Sequence, residues 1–123
     1  MKILFFGNAL VERDSLVLRI VGKLKEKFPE IDFEEADGSE LPNEEVLNIL
    51  DVAEGIEDVV ILDDVDRLKT GRIFSMHDFD LAQNLKLMKK FGIVKKANII
   101  AVPSGMGEKE AVEKTSKAIA SLS

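Results

Sequence analysis

A chain of 123 residues, 46% of them hydrophobic, can bury one core without disulfides or a structural metal, so a single domain over 1–123 is expected. It has no cysteine, which excludes thiol catalysis, thiolate metal sites and disulfides and fits a reducing compartment, here the cytoplasm. A net charge of −6 and a pI near 4.9 argue against nucleic acid or an anionic membrane as partner, since each requires a concentrated basic surface.

The apolar run Ile3-Leu4-Phe5-Phe6 is too short for a signal peptide or a membrane span, and reads as a first strand over Lys2 to Phe6. A helix follows from about Asp14 to Phe28, with Leu16, Val17, Ile20, Val21, Leu24 and Phe28 on one face and Pro29 stopping it. Asp32 to Ala36 alternates polar and apolar residues, as an edge strand does, and Asp37-Gly38-Ser39 turns the chain out of it.

Asn43 then fits an N-cap, with Glu44 and Glu45 in a first helical turn, Val46, Leu47, Leu50 and Ala53 as the buried face and Gly55 as the stop. Val59-Val60-Ile61-Leu62 is apolar on both faces, which predicts a central strand. Arg72 to Ser75 fits a short fourth strand, and Leu81, Leu85 and Met88 mark a helical face ending at Gly92. Lysines 86, 89, 90, 95 and 96 form the one basic cluster, read as the solvated face and end of that helix. Asn98 to Val102 is the last strand, and a closing helix carries Ala111, Val112, Thr115, Ala118, Ile119 and Leu122 on one face. The alternation predicts an α/β fold: a three-layer sandwich of a mostly parallel twisted sheet of about five strands, with helices on both faces.

In such sheets ligands bind beyond the carboxyl ends of the strands, which selects the segments 7–14, 37–39, 63–64 and 75–78. Asp63 ends the strand expected to be central, where a carboxylate is costly unless paired or metal-bound, with a turn cap as the lesser alternative. His77 is the sole histidine, and Asp14 fits a helix N-cap as readily as a ligand. Taken together, Asp14, Asp63 and His77 are two carboxylates and an imidazole suited to a borderline divalent metal with open positions. No His-Glu-x-x-His, Gly-x-Gly-x-x-Gly or Walker loop is present.

At these residues the chain resembles the hydrogenase maturation proteases. The likeness is carried by Gly7-Asn8-x-Leu10-x-x-x-Asp14 with Leu18-Arg19-Ile20-Val21, by Val60-Ile61-Leu62-Asp63, by Ser75-x-His77 and by Asp37-Gly38. The sequence departs from the family pattern at Phe5-Phe6 before Gly7-Asn8, at Arg13 where an acid is usual, and at 106–110 before the last helix. The resemblance implies an endopeptidase that removes the C-terminal extension of a nickel-iron hydrogenase large-subunit precursor after nickel insertion. Asp14, Asp63 and His77 would be both metal-engaging and catalytic, and Asn8, Asp37 and Gly38 would bind substrate. The nickel would arrive on the precursor, with zinc or cadmium able to substitute, and the enzyme would act as a cytoplasmic monomer. Two other classes compete: a non-catalytic accessory module of the same fold, and a receiver-like phosphoacceptor domain, which needs paired acids where this chain has Gly7-Asn8.

Overall fold

The computed structural model describes residues 1–6, 12–36, 41–63, 74–75 and 86–122, and at 12–15, 74 and 75 it describes the backbone. In chain order the elements are β1 (Lys2–Phe5), α1 (Glu12–Lys27), β2 (Asp32–Glu35), β3 (Val46–Glu54), β4 (Val60–Leu62), β5 (Phe74–Ser75), a helical stretch α2 (86–90), β6 (Lys96–Pro103) and α3 (Glu108–Leu122). The sheet runs β2-β1-β3-β6-β4. Its four left-hand strands pair in parallel, and β4 joins β6 antiparallel at the edge.

The two sheet faces bury separate clusters, as strand alternation requires. On one face Ile3, Phe5, Leu50, Val52, Ile100 and Val102 meet Leu16, Val17, Ile20 and Leu24 of α1 and Ala111, Val112 and Ile119 of α3. On the other, Leu4, Phe6, Leu47, Ile49, Ile99 and Ala101 pack with Val94, and Met88 of α2 lies against them. Helices therefore cover both faces and the expected three-layer α/β architecture is present. Gly92 closes α2 at φ 74°, a left-handed value glycine adopts without strain. Its N–H donates to the Lys89 carbonyl and that of Ile93 to Met88, the paired bonds of a Schellman stop. Among the described residues no helix is long and apolar enough to cross a membrane.

Two expected elements are different. Residues 46–54, read as a helix behind Asn43, form β3, paired along its length with β6 from Val46↔Lys96 to Ala53↔Pro103. The physical reason is in the run itself: Val46, Leu47, Ile49, Leu50, Val52 and Ala53 would spread over well more than half the circumference of a helix, with Asn48 and Asp51 left as a narrow polar side. A strand buried on both faces accommodates all but Val46, which is exposed at its start, and five consecutive residues, 49–53, are buried.

The second correction follows from the first. Val59–Leu62, expected as the central strand, yields the three-residue edge strand β4. A parallel return needs a crossover of a dozen or more residues, and the connection 55–59 is too short to carry the chain back to the other end of the sheet. It instead passes over the end of β6, and β4 runs down beside β6 in the opposite direction, with Val60↔Ala101 and Leu62↔Ile99. The sheet order and the antiparallel edge also overturn the receiver-like alternative, whose five strands would run 2-1-3-4-5 in parallel.

Candidate functional site at the carboxyl end of the sheet

The parallel strands β1, β3 and β6 define one carboxyl end, and three chain segments converge there. β1 runs on through Phe6, whose N–H donates to the Leu50 carbonyl at 3.3 Å, and the chain re-enters the described structure at Glu12, the start of α1. Asp14 therefore lies in the first turn of the helix that follows β1, where the helix dipole favours a carboxylate. β5 supplies the third segment, pairing antiparallel with the tip of β3 through Ala53↔Ser75 and Glu54↔Phe74. Since β6 already occupies one side of Ala53 through Pro103, β5 takes the side that β1 vacates beyond Leu50.

Asp51 lies on β3 near this end. It is level with Ala101 on the central strand pair and only 1% exposed, on the sheet face that carries Phe6, Ile49 and Ala101. Its Oδ1 accepts a hydrogen bond from the Val52 N–H at 2.9 Å. A carboxylate held this deep costs several kcal/mol unless its oxygens are used, which makes Asp51 a candidate site residue. Sequence reasoning passed over it because the segment looked helical and Asp51 fell on the polar side of that helix. Read as a both-faces-buried strand, the same segment has two polar interruptions between Leu47 and Ala53, Asn48 and Asp51, and Asp51 is the one near the carboxyl end.

Asp63, the second carboxylate expected from sequence, is exposed and follows β4. Because β4 descends, Asp63 comes level with Asn98, near the amino ends of the parallel strands. From Asp51 it is about 10 Å along the strands and about 10 Å across them. The fold thus brings Asp14 and Asp51 to one end and leaves Asp63 at the other. His77, Asn8, Asp37 and Gly38 lie outside the described residues; in the chain, Asn8 follows Phe6 by two positions, Asp37 follows Ala36, and His77 follows Ser75 by two. Among the described residues no group of three potential ligands is assembled.

These features define a class: a mostly parallel α/β sandwich with an antiparallel edge strand and its buried carboxylate at the carboxyl end of the central strand. Two solved structures share that fold over nearly the whole chain. One is the hydrogenase maturating endopeptidase HybD from Escherichia coli, with a TM-score of 0.63 and 22% identity over 99% of this chain and 94% of that one. The other is the solution structure of an endopeptidase from Escherichia coli, with a TM-score of 0.60 and 21% identity over 99% and 90%. At these identities the likeness establishes the fold, which is the one the sequence resemblance implies. No family model matches the sequence, and no curated protein matches it.

Proposed function

We propose that the chain is an endopeptidase of hydrogenase maturation, removing the C-terminal extension of a nickel-iron hydrogenase large-subunit precursor once nickel is in place. The observation that supports it most is the placement of the α1 start, Asp51 and β5 at the carboxyl end of a fold shared end to end with HybD. In this reading Asp14 and Asp51 provide the two carboxylates and His77 the imidazole. His77 follows Ser75 by two residues in the chain, and Ser75 pairs opposite Ala53, two beyond Asp51. Asp63 is replaced in this role by Asp51 on the geometric grounds above, and Asn8 and Asp37-Gly38, which come after β1 and β2 in the chain, would hold the substrate.

The metal is part of the substrate. Two carboxylates and an imidazole suit a borderline divalent ion such as nickel, with zinc or cadmium able to substitute in binding experiments. Engaging the precursor's nickel would place the scissile peptide beside the carboxylates, where water attacks the carbonyl carbon, the C–N bond breaks and a proton passes to the leaving amine. With no cysteine in the chain, a thiol acyl-enzyme is excluded. The enzyme works as a monomer in the cytoplasm in this account.

The test is incubation of purified protein with nickel-loaded precursor, followed by mass spectrometry of the large subunit. Loss of the extension with wild type, and its retention with Asp14→Ala and His77→Ala at matched folding, is expected. An intact precursor after prolonged incubation with wild type would overturn the proposal in favour of an accessory module.

A further inference from the structure

The segment that leads into β6 carries a surface that the proposed reaction does not use. Among the large hydrophobic side chains exposed in the described residues, Leu87, Phe91 and Ile93 fall within a short stretch, and Phe91 is 71% exposed. Local structure puts them outside. Met88 is the α2 residue that packs on the core, whereas Leu87 and Phe91 are neighbours one helical turn apart, with the Phe91 N–H donating to the Leu87 carbonyl at 3.0 Å. The stop at Gly92 ends the helix directly after Phe91, and the chain then buries Val94 and leaves Ile93 exposed.

The same stretch holds Lys86, Lys89, Lys90, Lys95 and Lys96, all exposed, with no acidic residue between 86 and 96. Glu45 meets Lys95 at 3.5 Å, but both side chains are largely exposed and such a contact offsets little of the charge. The overall charge of −6 counts against an anionic partner only where cations are dispersed. Charges further away than a Debye length of about 8 Å are largely screened, so the local concentration decides. Lys96, at the start of β6, is five residues before Ala101, the partner of Asp51, so the patch lies about 17 Å along the strands from the candidate site and leaves that end open.

We infer that this patch docks the protein peripherally on an anionic membrane surface, with Leu87, Phe91 and Ile93 entering the headgroup boundary and the lysines meeting lipid phosphates. A second copy is disfavoured, because two-fold pairing would bring both sets of lysines together. A protein partner fits less well, since lysine is depleted and arginine enriched at protein interfaces, and every cation here is lysine. Lysine stems lie along apolar surface while their heads reach the phosphates.

The test is co-flotation of the full chain with vesicles of phosphatidylcholine alone, or of phosphatidylcholine and phosphatidylglycerol in a three-to-one ratio. Wild type should float only with the anionic vesicles, and less as salt is raised. Phe91→Ser should lower partitioning about tenfold, and Lys89→Gln with Lys90→Gln about thirtyfold, near fivefold for each lysine. These positions are exposed, so the urea midpoint and precursor cleavage in solution should stay at wild-type values. Absence of flotation with anionic vesicles, equal flotation with both kinds, or variants that float like wild type would each overturn the inference. So would a dimer in sedimentation velocity that Phe91→Ser dissociates, or binding to polyglutamate without binding to vesicles, which would assign the patch to a second copy or to an acidic protein.

Discussion

Asn48 of β3 and Asn98 of β6 are register partners, and the Asn98 Nδ2 donates to the Asn48 Oδ1 at 3.0 Å. Asn98 is only 6% exposed. Substituting either residue by alanine leaves the other amide half-covered without its partner, a cost of about 1–3 kcal/mol. Removing both leaves no orphan, so the double variant should be less destabilised than the sum of the singles, by a coupling of roughly 0.5–1.5 kcal/mol. Urea unfolding with a slope of about 1–3 kcal/mol per molar reads each single change as a midpoint shift of several tenths of a molar or more. Additivity within about 0.3 kcal/mol would refute the pairing, and with it the assignment of 46–54 as a strand, because a helix there would part the two side chains.

Truncating Ile100→Ala, at a fully buried position of β6, should cost about 2–5 kcal/mol in the same assay; a cost below about 1 kcal/mol would mean the core beneath α1 and α3 is packed differently. Asp58 supplies a pH test. The Lys114 ammonium, and then the Val59 N–H, hold its carboxyl below the ordinary value of 3.8. A carboxyl depressed by folding stabilises the native state above that value, and the contribution disappears as pH falls through the lower folded value. Asp58→Asn should therefore lower the urea midpoint slightly at neutral pH, with a gap that salt reduces and that closes in acid. A gap that widened on acidification would contradict the sign.

The parts of the fold legible in the sequence are those where one periodicity had no rival. α1 and α3 show a single apolar stripe with a charged opposite side, and β2 shows alternation, so their places in the layers followed directly. β3 was not legible in that way, since four of its apolar residues also fit a helical face and Glu44 and Glu45 after Asn43 imitate a helix start. That reading also decided which carboxylate was put at the candidate site. With 46–54 taken as a helix, the next apolar run had to be the central strand and Asp63 its tip. With 46–54 in the sheet, the short connection 55–59 reverses β4 and carries Asp63 to the far end, while Asp51 takes the central position. The position of Asp14 at the start of α1 depends only on α1 following β1.

The most direct test of the central claim is to compare precursor processing by Asp51→Asn and Asp63→Asn. Each substitution keeps shape and removes one carboxylate, and Asn at 51 retains an oxygen to accept the Val52 N–H. If the working end is the one defined by α1, Asp51 and β5, Asp51→Asn should lose roughly 100-fold or more in cleavage rate at undiminished stability, and Asp63→Asn should cleave near the wild-type rate. Full activity in Asp51→Asn together with loss in Asp63→Asn would contradict the account and place the chemistry at the opposite end of the sheet.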